Sequence, residues 1–152
     1  EHLLAMMQDT AGERARAHAH ELLADHYKRR MELHPTRDIF PAEVFFFADE
    51  VKLRPDAEKL VEELAKLNIT RFPWSRFAVI SYVRSKDAQS AYAKRLALER
   101  ARNLSESFVR AGLDPRRIEA RGVVVDSPLV YDPHDNKDRY SQAVELTPLD
   151  AK

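Results

Sequence analysis

Apolar residues in this chain follow two different spacings, and the switch between them marks out its elements. Residues 77–83 (Phe-Ala-Val-Ile-Ser-Tyr-Val) are a short apolar run rich in aromatic and β-branched side chains, which predicts a buried strand. Further on, Ala97, Ala101, Leu104 and Phe108 recur at steps of four, three and four, one apolar stripe on a long helix. The helix is expected to begin near Ser85 or Asp87 as N-cap. Gly112 lies just past the stripe, where a helix end commonly needs a left-handed residue, and Pro115 keeps the helix from resuming. After the connector 113–117, residues 118–125 (Ile-Glu-Ala-Arg-Gly-Val-Val-Val) predict a second strand, which completes a βαβ unit.

The same reading extends to both ends. Thr10 and Glu13 have capping-box spacing ahead of a charged helix over residues 11–33, whose thin apolar side is mostly alanine. Residues 1–34 therefore read as a helical arm packed on the domain or on a partner, followed by a linker at 35–41. Residues 42–48 hold three successive phenylalanines and predict the strongest strand, central or covered, because both of its faces must meet apolar surroundings. Ala57, Leu60, Val61, Leu64 and Leu67 fit the 3.6 period of a helix over 56–67. The loop 68–75 carries Phe72 and Trp74 as expected buried anchors, and a polar loop at 132–138 precedes a last strand at 142–147. The expected architecture is α+β: a two-layer sandwich in the order β-α-β-α-β-β over residues 42–150, with both helices on one face.

Composition narrows the function classes. Lys plus Arg and Asp plus Glu are equal at 25 each, so no net field steers the chain onto nucleic acid or an anionic membrane. Cysteine is absent, which rules out disulfides and thiolate metal sites. No apolar run is long enough to span a bilayer. The chain opens at Glu1 without a Met, which suggests a mature or trimmed form, and membrane attachment is expected only through a lipid anchor upstream.

Candidate chemistry is sparse. His18 and His20 are two apart on a helix and cannot share an ion, and His26 and His34 are more than two turns apart; all four read as solvated helix residues. Asp132, Asp135 and Asp138, with Asn136, lack the spacing and the glycine of a calcium loop, so no metal is expected. With only three glycines and no cysteine, the chain offers neither a phosphate-cradling loop nor a thiol nucleophile; no enzyme activity and no cofactor are expected. Residues 45–47 cannot act as an RNA-stacking strand, because three adjacent aromatics cannot all face outward.

One further pattern covers residues 44–149. Leu96, Arg100-Ala101, Gly112-Leu113, Ile118, Ala120, Gly122 and Pro128 keep their mutual spacing without a gap, with Phe46, Leu53 and Pro55 upstream. In this pattern the chain resembles the OmpA-like C-terminal domain of bacterial envelope proteins. The family's signature runs Gly-His-Thr-Asp, then Gly, Asn, Leu-Ser and Arg-Ala, followed by Gly-Ile and Ile-x-Ala-x-Gly. The resemblance implies the two-layer fold above. It also implies a ligand, the diaminopimelate residue of peptidoglycan, whose ammonium the family's Asp takes and whose carboxylate the family's Arg takes in a two-pronged contact.

On that alignment Arg100 keeps the family's arginine, whereas Ser85 stands at the Asp position behind Arg84. Ala88, Ala93 and Ala97 replace the family's Gly, Asn and Ser. Asp87, two residues along, is the candidate substitute carboxylate. Loss of one charge-assisted contact costs on the order of 1.5–3 kcal/mol, so peptidoglycan binding is expected to be weakened or lost. The resemblance thus implies a non-catalytic structural component of a Gram-negative envelope assembly, periplasmic and associated with the outer membrane. Lipoproteins of the outer-membrane core complexes of type IVB secretion systems are examples. The expected partners are other proteins of that assembly. The alternative is a peptidoglycan-binding module that anchors an envelope protein to the cell wall through Arg100.

Overall fold

A computed structural model describes residues 2–33, 37–71, 76–130 and 139–149 of the chain. The expected anchors Phe72 and Trp74, the loop 132–138 and His34 lie outside these residues. The elements are α1 (His2–Leu33), β1 (Asp38–Pro41), α2 (Ala57–Arg71), β2 (Phe77–Arg84), α3 (Ala91–Arg110), β3 (Ile118–Val125) and β4 (Gln142–Pro148). The strands form one mixed sheet in the order β1-β4-β2-β3. β2 and β3 are parallel, as a crossover through α3 requires, and β4 runs antiparallel to both β1 and β2. The fold is α+β, as the βαβ unit and the last strand predict.

The sheet has two different faces because alternate side chains leave it in opposite directions. Phe77 and Val79 of β2, Val144 and Leu146 of β4 and Phe40 of β1 join Leu60, Val61 and Ala65 of α2 and Leu104 and Phe108 of α3 in one core. The helices therefore cover one face. On the other face, Ile39, Ala143 and Tyr82 pack with Leu129, Val130 and Tyr140. There, buried Glu145 accepts two hydrogen bonds from Arg37 (2.7 and 2.8 Å) and one from the Tyr82 hydroxyl (2.8 Å).

Gly122 on β3 explains how closely α3 lies on the sheet. A Cβ there would stand 2.5 Å from the backbone nitrogen of Leu98, so only glycine permits this approach. Gly112 has φ 116° and ends α3 in the left-handed region, as its position after the stripe predicts.

Four expectations are corrected. The aromatic run 42–48 is not a strand: Ala42–Val44 is a 3₁₀ turn, Phe46 makes only an isolated bridge to Leu53, and the strand forms earlier, at Asp38–Pro41, on the sheet edge. The backbone of 45–50 is occupied elsewhere: the Phe45 carbonyl accepts from the Arg54 N–H (2.8 Å), and one α3 side chain, Arg100, donates to the carbonyls of both Phe47 and Glu50. In this turn Phe45 and Phe46 point into the core while Phe47 is 53% exposed beneath the Arg54 guanidinium.

The N-cap of α3 is Ser90, whose hydroxyl accepts from the Ala93 N–H (3.2 Å), rather than Ser85 or Asp87. The capping box at Thr10 starts no helix, since α1 already runs from His2 through residues that favour helix. His26 is buried rather than solvated: its ring stacks on Phe40 (centroids 3.9 Å apart) and its Nε2 lies 3.1 Å from Asp38. His18 and His20 flank the buried Ala19 and face Asp56 (3.5 Å) and Glu63 (3.7 Å) on either side of it.

Candidate functional site

Arg100 sits midway along α3 on the stripe that faces the core, and it is only 1% exposed. Helical spacing puts it beside Ala97, Ala101 and Leu104, so its guanidinium must enter the protein rather than solvent. There it donates through Nε to the Glu50 carbonyl (2.7 Å), through Nη2 to the Phe47 carbonyl (3.2 Å) and through Nη1 to the side-chain oxygen of Gln142 on β4. The cation also lies over the Phe46 ring, 5.0 Å from its centroid. One turn on, Asn103 donates to the Val51 carbonyl (2.7 Å). Arg100 and Asn103 together hold residues 47–51 against α3.

The held segment turns sharply. The Glu50 N–H bonds the Phe47 carbonyl (3.1 Å), and Asp49 at the third position of the turn has φ 61°. Aspartate tolerates this conformation better than most residues. The Tyr92 hydroxyl, from the first turn of α3, donates to the Asp49 carboxylate (3.0 Å), and that bond holds the phenol above its ordinary pKa. Burial pushes the Arg100 guanidinium below its usual pKa range, and nearby Asp49, Tyr92 and Glu50 oppose the shift. The rim between this turn and β4 encloses a pocket of about 420 Å³, with Arg100, Phe46 and Gln142 in its lining and Asp49, Glu43 and Arg139 around them.

Ser85 and Asp87 lie elsewhere. They line or border the connection from β2 to α3, and Ser85 lines a separate cavity with Lys86, Asp126 and Pro128. The Ser85 hydroxyl accepts from the Asp87 N–H (3.2 Å) and donates to the Asp87 carbonyl (3.0 Å). The Asp87 carboxylate accepts from the Gln89 N–H (2.9 Å). Both side chains thus shape their own turn, and neither shares the Arg100 pocket. Two carboxylates do line it, Glu43 and Asp49, and Asp49 reads in the sequence as part of a solvated acidic face. Its position after a run of phenylalanines, in a short Ala-Asp-Glu stretch suited to a turn, was the available signal. Gln142 gives no such signal, because only the pairing of β4 with β2 brings it to α3.

Among the described residues no three His, Cys, Asp or Glu side chains converge as a metal site would require, and no helix is long and apolar enough to cross a membrane.

The sequence profile of the OmpA family matches residues 45–141. No curated protein matches the chain by sequence. Among solved structures, a MotB-like protein from Desulfovibrio vulgaris is 18% identical, with 88% of this chain and 90% of that one covered at a TM-score of 0.59. The cell wall anchor of the T6SS from Pseudomonas aeruginosa is 13% identical, with 84% and 94% covered at 0.60. The peptidoglycan-associated lipoprotein from Burkholderia pseudomallei is 17% identical, with 68% and 87% covered at 0.50. At such identities the likeness is one of fold.

Proposed function

This chain belongs to the OmpA family, and from that premise we propose that it is a non-catalytic structural component of a Gram-negative envelope assembly whose hold on peptidoglycan is weakened or lost. The reading is carried by the state of Arg100. A guanidinium that is to grip a ligand carboxylate in two prongs needs two adjacent N–H groups turned to the ligand. Here Arg100 is only 1% exposed, and three of the five N–H groups of its guanidinium, one from each nitrogen, already go to acceptors of the protein itself on residues 50, 142 and 47, which leaves little of it open to a ligand. Ser85 and Asp87 support the same reading, since both are engaged in their own turn away from the Arg100 pocket. The proposed compartment is the periplasm, at the outer membrane, and the proposed setting is a core complex such as that of a type IVB secretion machine.

The alternative, a wall-anchoring module that works through Arg100, draws on one observation: Arg100 and Asp49 place opposite charges in one open pocket, as a zwitterion would require. Co-sedimentation with purified diaminopimelate-type peptidoglycan separates the two readings. The chain is expected to stay in the supernatant. Pelleting that Asp49→Asn abolishes, with the fold intact by circular dichroism, would establish the anchor instead.

A further inference from the structure

The sheet ends in two unequal edges. β1 is four residues long and finishes at Pro41, whereas β3 offers eight residues without a proline or a bulge, and its two charges, Glu119 and Arg121, pair with each other on the face away from α3. The Ser85 N–H donates to the Val125 carbonyl, so Val125 turns its backbone groups towards β2. Successive residues of a strand turn theirs to opposite sides, which directs the N–H and C=O groups of Ile118, Ala120, Gly122 and Val124 outward. No described residue takes them up.

The shape of this edge restricts what can dock on it. Because α3 lies over Gly122 within the distance of a missing Cβ, it roofs β3 itself. A second copy paired along the same edge would bring its own α3 into that space, since strands pair about 4.8 Å apart and packed helices need about 8–10 Å. A lone extended strand meets no such obstacle. Arg102, one turn beyond Leu98 on the same flank of α3, is exposed and pairs with no described residue. On the opposite face Val123 is exposed.

We propose that the outer edge of β3, beneath the flank of α3, docks an extended segment of a partner protein that carries an acidic side chain opposite Arg102 and apolar ones opposite Val123 and Val125. Backbone hydrogen bonds would supply the affinity and the alternate side chains the selectivity. The inference deepens the assembly reading and rests on it for the existence of a partner.

The test is to pan the full chain against a displayed library of octapeptides, with peptidoglycan absent so that the outcome is separate from that of the sedimentation assay. Enriched peptides are expected to alternate apolar and polar residues and to carry Asp or Glu. Their binding should weaken at least about tenfold in Ala120→Pro and Val124→Pro, the effect of a lost backbone bond and a blocked approach. Each proline removes only an outward N–H, so the ladder to β2 is kept, which circular dichroism verifies. Arg102→Glu should turn the selection from acidic to basic peptides. The proposal is overturned if nothing is enriched, or if the enriched peptides bind both proline variants as tightly as the parent. If the prolines unfold the chain, unchanged selection by Arg102→Glu overturns it.

Discussion

At the scale of single residues, Arg100 is part of the framework of the fold. Its guanidinium joins α3 to residues 47–51 and to β4, and removal of its charge leaves two carbonyls and an amide oxygen without their donor. Arg100→Ala is expected to destabilise the fold by about 2–4 kcal/mol, measured by urea unfolding, as loss of one member of a buried hydrogen-bonded set does. A residue that served only a ligand would leave the urea midpoint nearly unchanged. Gly122→Ala makes a second prediction at this scale. The added methyl group would meet the backbone of Ala97 and Leu98 rather than a flexible side chain end, so about 1–3 kcal/mol or more should be lost as α3 is pushed off the sheet. Arg100 was legible in the sequence only through the resemblance of its Arg-Ala pair to the family's signature. Its acceptors were not, because they lie some fifty residues upstream and forty downstream and meet it only through the fold.

Among the elements, α1 divides at His18. Towards the C-terminus Ala19, Leu23 and His26 are buried in the core shared with α2 and β1. Ahead of it, residues 13, 14 and 16–18 are exposed, and a Cβ at Gly12 would meet nothing within 4 Å. Removal of residues 1–17 should therefore leave the thermal midpoint within a few degrees. Removal of residues 1–34 should cost about 3–5 kcal/mol, since a buried leucine and a stacked histidine go with it. Differential scanning calorimetry of the two truncations checks this, and equal midpoints would make the whole of α1 a detachable arm. The periodicity of α2, α3, β2, β3 and β4 was legible to within a few residues. β1 was not, because Ile39 and Phe40 are only two apolar residues before a proline, while the longer run at 42–48 looks more like a strand. Hydrophobicity told that Phe45 and Phe46 are buried, but the ladder formed where backbone groups were free to pair.

For the molecule as a whole, the face of the sheet away from the helices carries an acid-sensitive lock. Burial pushes the Glu145 carboxyl up, but hydrogen bonds from Arg37 and Tyr82 outweigh it and hold the group below the usual carboxylate range. Tyr82, partly buried and bonded to that carboxylate, is pushed up to about 12. A depressed folded pKa adds stability that is complete above the unfolded value, about 4.3, and is lost as the pH falls through the folded one. Glu145→Gln should cost about 1–3 kcal/mol at neutral pH, and its deficit against the parent should shrink as the pH is lowered towards about 3. Urea midpoints of both proteins across that range provide the measurement; a constant deficit would show that the carboxylate carries no such linkage. The lock joins Arg37, just ahead of β1, to Tyr82 of β2 and Glu145 of β4, residues far apart in sequence that nothing in their local patterns pairs.

By itself the sequence determined the helices and strands of the βαβ unit, the stop at Gly112 and the absence of thiol chemistry, because periodicity, chirality and composition are local properties of the chain. The tertiary structure alone decided that the aromatic run bends instead of pairing, and that Asp49 rather than Ser85 or Asp87 shares a pocket with Arg100. It also decided which way the backbone of β3 faces. Each of these depends on which distant groups compete for the same hydrogen bonds, and that competition is settled only when the sheet and α3 have closed on one another.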